Sequence, residues 1–389
     1  MKLKFIDTRM FKYIDWLLFA NIMLLVLFSF VAISSAVSDP IPAGSSFTEI
    51  LSRINMQYAI QQIEWFGIGL VAMFIVLLPD YHAIGEYYKW IYLIIIVLLI
   101  AVFAFGTTVH GTRGWFRIGT SGFQPSEVGK TAMVIVLAKM ISDKTKSRGG
   151  SISGIKDILP VVGVFLLPAA LILLERDLGT VLVYAFTFFS MLFIAKTSLK
   201  LIFGLFACVG AVLPGAWFLL ADWQKLRIYT ALGIESPDID PADLKAAKFQ
   251  SDAAQAAAGS GQITGKGLFS QLSNIPEKHT DFLFASTTEA LGFIGAAIII
   301  LLYIVLIVRT LYLAAKAKDE FGTLIIVGVL AMTLFHIFEN IGMNLGVMPI
   351  TGIPLPFLSY GGSNLLTNMI AFGLVLNVGM RRQRWGING

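Results

Sequence analysis

Residues 285–308 read ASTTEALGFIGAAIIILLYIVLIV, a run in which Glu289 is the sole charge. A helix needs about 20 apolar residues to cross the hydrocarbon of a bilayer, so this stretch is long enough to span one. Comparable runs recur near 14–36, 61–79, 91–107, 126–141, 157–174, 179–195, 201–221, 323–343 and 365–380. The composition agrees. Of 389 residues, 57% are hydrophobic and 14% charged, which leaves too little polar surface to cover a soluble globule. The expected fold is all-α, a polytopic membrane bundle of about ten transmembrane helices forming one domain over 1–389. The first run ends in Ser34-Ser35-Ala36, which looks like a signal-peptidase site, but it is too long for a signal peptide and reads as an uncleaved span.

The distribution of Lys and Arg orients the bundle. With the amino terminus inside, Lys2, Lys4, Arg9 and Lys12 share one side with Lys139 to Lys156, Lys196, Lys200, Arg309, Lys316, Lys318, Arg381, Arg382 and Arg384. That is the positive-inside pattern, and it places both termini in the cytoplasm. The net charge of +5 therefore reports topology and not nucleic acid. The exception is the segment 222–284, a large extracytoplasmic loop between the seventh and eighth spans, too long to obey the rule. Inside it Asp240-Pro241 reads as a helix start, and an Ala-rich helix is expected to run to Ala258, where Gly259-Ser260-Gly261 stops it. No repeat of 20 to 50 residues is present. The lone Cys208 excludes an intramolecular disulfide, and His82, His110, His279 and His336 show no metal-ligand spacing.

Ionisable groups at the ends of apolar runs are costly and mark candidate functional positions. Glu127 and Lys130 stand three apart at the start of the fourth span, on one helical face, and should pair. Glu175, Arg176 and Asp177 are squeezed between two apolar runs; Asp177 reads either as a helix cap or as a site residue. Pro276-Glu277-Lys278-His279-Thr280-Asp281 is a polar knot just ahead of the eighth span, and Asp281 again reads as cap or site. Glu289, further into that helix, needs a wet cavity or a neutralising neighbour. Between Asn344 and Asn364, three prolines and several glycines with almost no charge make a membrane-embedded loop, either a substrate wall or a tight hairpin. Trp65, Trp90, Trp115, Trp217, Trp223 and Trp385 fall near span ends and read as an interfacial belt.

Five stretches carry a family resemblance: Gly111 to Lys130 (GTRGWFRIGTSGFQPSEVGK), Asp177-Leu178-Gly179-Thr180, Gly259 to Leu268 (GSGQITGKGL), Pro276 to Ala285 (PEKHTDFLFA) and Asn340 to Ser363 (NIGMNLGVMPITGIPLPFLSYGGS). Together they resemble the SEDS proteins, multi-pass peptidoglycan glycosyltransferases of the bacterial plasma membrane. Met348 to Phe357 is similar to the elongation (RodA-like) branch and less so to the division (FtsW-like) or sporulation branches. Two positions depart from the family pattern: Gly114 stands where Arg is usual, and Glu175-Arg176 where Gln-Pro is usual.

The resemblance implies lipid II, a disaccharide-pentapeptide on undecaprenyl pyrophosphate, as substrate, and an inverting transfer that makes β-1,4 glycan during elongation. It implies Asp281 as the catalytic base and Glu127, Lys130 and Asp177 as cavity residues. Arg113, Arg117, Lys278 and Ser363 are further candidates for holding the diphosphate. A divalent cation, Mg2+ or Mn2+, is the expected cofactor, with no organic cofactor. Expected partners are a class B penicillin-binding protein, other elongation-complex proteins and membrane lipid, with no nucleic acid. The competing class is a lipid II flippase or transporter, since intramembrane charges and a broken loop also mark transport pathways.

Overall fold

A computed structural model describes residues 8–42, 45–109, 111–118, 121–218, 220, 222–232, 234, 241–270 and 275–382. Lys2, Lys4, His110, Asp240, Arg384 and Trp385 lie outside the described residues. After a 3-10 helix over Thr8–Tyr13 the chain runs through α1 (Trp16–Val37), α2 (Phe47–Arg53), α3 (Gln57–Leu77), α4 (Tyr81–Glu86) and α5 (Tyr88–Phe105). A three-stranded antiparallel meander follows, β1 (Thr107–Val109), β2 (Thr112–Ile118) and β3 (Ser121–Phe123). Then come α6 (Pro125–Ser147), α7 (Ile155–Leu174), α8 (Leu178–Ile194), α9 (Leu199–Trp217), α10 (Asp222–Leu232), α11 (Pro241–Ser260), α12 (Leu283–Ala315), α13 (Glu320–Asn344) and α14 (Gly362–Met380).

Ten of these helices match the ten apolar runs. Seven of them, α1, α3, α5, α7, α12, α13 and α14, are long and apolar enough to cross a membrane by length and hydropathy alone. Helix α8 and the apolar part of α9 are shorter. Helix α6 carries too many charges to look like a span, and its position explains how it tolerates them. It packs against α5, α7, α8, α13 and α14, and from Pro125 to Ala138 it is buried nearly all round. Protein, not lipid, is its solvent. Within this helical fold the meander is a short local addition: Thr107 pairs with Trp115 and Arg117 with Gly122, and the β-branched and aromatic residues of 107–118 suit that ladder.

Helix α12 is broken. At Gly292 the backbone turns to φ 65°, ψ −162°, which interrupts the helical ladder. The freed groups are satisfied by the glycine-rich loop after α11, which threads into the gap. The amides of Lys266 and Gly267 donate to the carbonyls of Glu289 and Ala290, while those of Phe293 and Ile294 donate to Gln262 and Ile263. Gly265 cannot carry a side chain, because a Cβ there would lie 2.2 Å from the Ala290 carbonyl oxygen. Lys266 Nζ also reaches Glu289 Oε1 at 2.7 Å, so Glu289 is neutralised by a neighbour. This is the protein-buried irregular backbone that a membrane interior requires.

The α13–α14 connection meets the same requirement. Ile353, Leu355, Phe357 and Leu358 are buried. Its carbonyls accept from Asn340 Nδ2 (Ile353, 2.8 Å), Tyr303 Oη (Pro356, 2.7 Å) and Gln62 Nε2 (Ser359, 3.2 Å). The opposite end of α13 is fastened by ions. His82 lies between Asp80 and Asp319 at 2.8 Å on each side, Arg381 Nε reaches Asp80 at 3.2 Å, and Arg309 clasps Asp15.

Candidate active site

The segments around the broken α12, the meander and the α13–α14 loop enclose a cavity of about 1540 Å³. Its polar wall carries Gln124, Glu127, Lys130, Asp177, Arg227, Asp281, His336 and Ser363, and its apolar wall comes from α7, α8 and α9.

Pro125 opens α6 as a first-turn proline, and Glu127 and Lys130 follow on one face. Lys130 Nζ donates to Glu127 Oε1 at 2.7 Å and lies 2.9 Å from His336 Nε2. The other ring nitrogen of His336 is 3.0 Å from the Pro354 carbonyl, which can only accept, so Nδ1 carries the proton and Nε2 accepts from the lysine. Asn364 Nδ2 holds the second oxygen of Glu127 at 3.1 Å. All four side chains are buried. The ammonium is thus anchored by two acceptors, which between them use two of its three N–H groups, and Lys130 lines the cavity.

Asp177 does cap a helix. Its Oδ1 accepts from Thr180 N and its Oδ2 from Thr180 Oγ1, each at 2.9 Å. Gln124 Nε2 donates to the same Oδ2 at 2.9 Å, so Asp177 also ties α8 to the head of α6 on the cavity wall. Burial raises its pKa, against the lowering effect of the Thr180 bonds. Cap and site turn out to be compatible here.

Asp281 does not cap α12. The N-cap position is Phe282, whose side chain makes no capping bond. Asn344, from the end of α13, supplies the cap instead, its Oδ1 accepting from Ala285 N at 2.9 Å. Asn340 Nδ2 and Asn344 Nδ2 both donate to the Asp281 carbonyl at 2.9 Å. The backbone of Asp281 is therefore fixed by two asparagines while its side chain remains on the cavity wall. Across from it Gly352, at φ 74°, would place a Cβ only 3.6 Å from Asp281 Oδ2. Arg227, on α10, shares this wall. Burial lowers its pKa and the Asp281 charge pulls it back up.

Ser363 Oγ accepts from Gln124 N at 3.0 Å and donates to Gly122 O at 3.2 Å, fastening the start of α14 to the meander at the cavity edge. The other three cationic candidates sit elsewhere. Arg113 and Arg117 are exposed on β2, and neither they nor Lys278 is on the cavity wall. The cations on that wall are Lys130, Arg176 and Arg227. Arg227 and His336 were missed in the sequence. His336, Asn340 and Asn344 recur every four residues on an apolar span, a polar stripe that would have pointed to the site. Two of the tryptophans that fall near span ends, Trp115 and Trp217, line the cavity.

The family model described as cell cycle protein, covering the FtsW, RodA and SpoVE proteins, matches residues 15–384. This chain belongs to that family. It is 35% identical over 328 residues to peptidoglycan glycosyltransferase MrdB of Escherichia coli, covering 83% of this chain and 86% of that one. Relatives named FtsW and stage V sporulation protein E match at similar identity. Among solved structures, a chain from a study of how a peptidoglycan synthase complex coordinates polymerization and crosslinking aligns with a TM-score of 0.76 at 28% identity, covering 95% of this chain and 99% of that one. The crystal structure of the rod shape determining protein RodA of Thermus thermophilus aligns at 0.69 and 26%, covering 95% and 98%. The chain is a multi-pass membrane protein with the SEDS fold.

Proposed function

We propose that this chain is a peptidoglycan glycosyltransferase that polymerises lipid II into β-1,4 glycan at the outer face of the bacterial plasma membrane, with both termini in the cytoplasm. The observation that carries the reading is Asp281. Its capping duty is taken over by Asn344 and its main chain is pinned, and its carboxylate shares a large, partly apolar cavity with a twice-anchored lysine.

In the reaction, the 4-hydroxyl of an incoming disaccharide attacks the anomeric carbon of the growing chain. Asp281 takes the hydroxyl proton as the new C–O bond forms. The bond from the anomeric carbon to the diphosphate breaks with inversion, and its electron pair leaves on the diphosphate oxygen. Diphosphate is a good leaving group, so one base suffices, together with positive charge where negative charge collects. Lys130, Arg176 and Arg227 supply that charge, and Glu127 and His336 aim Lys130. The apolar wall from α7, α8 and α9 receives polyprenyl chain. Among the described residues no three His, Cys, Asp or Glu side chains converge as metal ligands, so these residues do not make a metal site of their own. A magnesium or manganese ion arriving with the substrate would add positive charge to that of Lys130, Arg176 and Arg227.

The proposed partners are a class B penicillin-binding protein, to crosslink the strands, and the other elongation-complex proteins. The test is polymerisation of lipid II by the purified chain, with and without that partner, followed on a gel. Asp281→Asn, equal in shape but unable to take the proton, should lower the rate about 10²- to 10⁴-fold at unchanged expression. Normal polymer from that variant would refute the assignment of the base. Translocation of lipid II across liposomes without polymer would instead favour a flippase.

A further inference from the structure

Most rings on the cavity wall are already committed to other rings. His279 lies 4.3 Å from Tyr58 and 5.6 Å from Tyr360 between centroids, and Trp217 meets Tyr229 edge-on at 5.5 Å. Trp115 is different. It is half-buried, lines the cavity, and among the described residues pairs with no other ring. It is also unlike an interfacial belt tryptophan such as Trp90, which is 64% exposed.

Its mounting is specific. Trp115 stands on β2 with its carbonyl held by Thr107 Oγ1 at 3.1 Å. Gly122, on the neighbouring strand, lies directly against the indole. A Cβ there would fall 2.8 Å from Cε3 and 3.3 Å from Cζ3 of the ring, so only glycine lets the indole settle onto β3. The ring is thus seated against the backbone of β3 at Gly122, and Trp115 is one of the residues that line the cavity. Thr112 and Gln124, a hydroxyl and an amide, line the same cavity. A flat apolar ring in a cavity that also carries hydrogen-bonding side chains matches a pyranose, whose axial C–H bonds form an apolar face and whose hydroxyls radiate from its rim.

We propose that Trp115 is a carbohydrate-stacking subsite that receives the C–H face of one sugar of the lipid-linked disaccharide. This rests on the glycosyltransferase reading and extends it by naming where a sugar ring lies. The meander is then the sugar-binding wall, facing the lipid-binding wall of α7 to α9.

The test uses the full-length purified chain and initial rates of lipid II polymerisation over a range of substrate concentrations. Trp115→Leu should raise KM about five- to tenfold, the scale of one aromatic contact, with kcat within about twofold. Trp115→Phe should recover most of the loss, and Gly122→Ala, which pushes the ring off its seat, should raise KM with the indole intact. A KM equal in Trp115→Leu and wild type, or a fall in kcat alone shared by Leu and Phe, would overturn the proposal while leaving the glycosyltransferase reading in place. Absence of polymer from the wild type overturns the reading itself. A second measurement is independent of turnover and of how the variants fold. Saturation-transfer NMR of the wild-type chain with soluble, lipid-free disaccharide-pentapeptide should show transfer from aromatic protons to sugar ring C–H protons, and transfer confined to the peptide counts against it.

Discussion

Asn344 does two jobs, and removing its side chain should separate the stability of the bundle from its chemistry. Its Oδ1 is the acceptor for Ala285 N in the first turn of α12, and its Nδ2 donates to Asp281 O and to Asn340 O at 2.9 and 2.8 Å. Asn344→Ala leaves the Ala285 amide without its cap and buried, since both residues are inaccessible to solvent. A lost cap and an orphaned donor together cost roughly 2–3 kcal/mol, which should lower Tm by a few degrees and leave the chain folded in detergent. Asp281 keeps its second donor, Asn340 Nδ2, so it loosens and is not released. A misplacement approaching 1 Å costs on the order of 100-fold in rate. The expected kcat is therefore about 10- to 100-fold down, with KM little changed because the cavity wall keeps its shape. Thermal melting and lipid II polymerisation on the same preparation measure both effects. A variant that melts early but turns over at the wild-type rate would show that Asp281 is not positioned by the α13 asparagines, and would sink the argument that links cap to catalyst.

Two further expectations follow from the charges. Glu127→Ala strips the buried Lys130 of its carboxylate and leaves only the neutral His336; it should cost about 3–5 kcal/mol, whereas Glu127→Leu with Lys130→Met should regain stability in chemical denaturation while remaining inactive. At the other end of the bundle, hydrogen bonds from His82 to Asp319 and Asp80 raise its pKa to about 9. A raised histidine stabilises fully below its unfolded value near 6.5 and loses that stabilisation as pH climbs through about 9. Because the side chain is 47% exposed, screening trims the effect to about 1 kcal/mol. Melting curves should fall between pH 7 and 10 in the wild type, and His82→Gln should remove that step.

The bundle was legible because hydropathy needs no partner to be read: each of the ten apolar runs announces its own helix. Helix α11 was legible for the same local reason, ending at Ser260 within the Gly259-Ser260-Gly261 cluster. The meander was not, since 107–118 carries no turn signature stronger than its glycines, and its strands are defined by pairing. Glu127 with Lys130 was visible as a spacing of three. The duties of Asp281 and Asp177 were not separable, because both precede apolar helices. Only tertiary contacts decide that Asn344 caps the one helix and leaves Asp281 on the wall, while Asp177 caps the other. Arg227 was hidden in the long segment 222–284, where a charge carries no cost and hence no signal.

The two departures from the family pattern turn out to be one place. A Cβ on Gly114 would lie 3.2 Å from Glu175 Oε2, and the amide of Arg113 donates to the Glu175 carbonyl at 3.1 Å. Glu175 is buried, and neither of its carboxyl oxygens has a hydrogen-bond partner among the described residues. Burial, reinforced by the charge of Asp177, pushes its pKa up to about 8. At neutral pH it is therefore mostly the uncharged acid, close in shape and polarity to the glutamine usual at this position, and the missing arginine at 114 leaves no anion behind unpaid. The sign follows from a folded pKa above the unfolded one: the native state holds the proton more tightly, so stability declines as pH rises from about 4.5 to about 8. Glu175→Gln should abolish that decline and be more stable than wild type at pH 8–9, by a few kcal/mol, with polymerisation unaffected. Denaturation of wild type and variant at pH 5 and pH 9 decides it. If the two proteins keep the same pH dependence, Glu175 is ionised and paired in solution, and the equivalence of a neutral glutamate with glutamine fails.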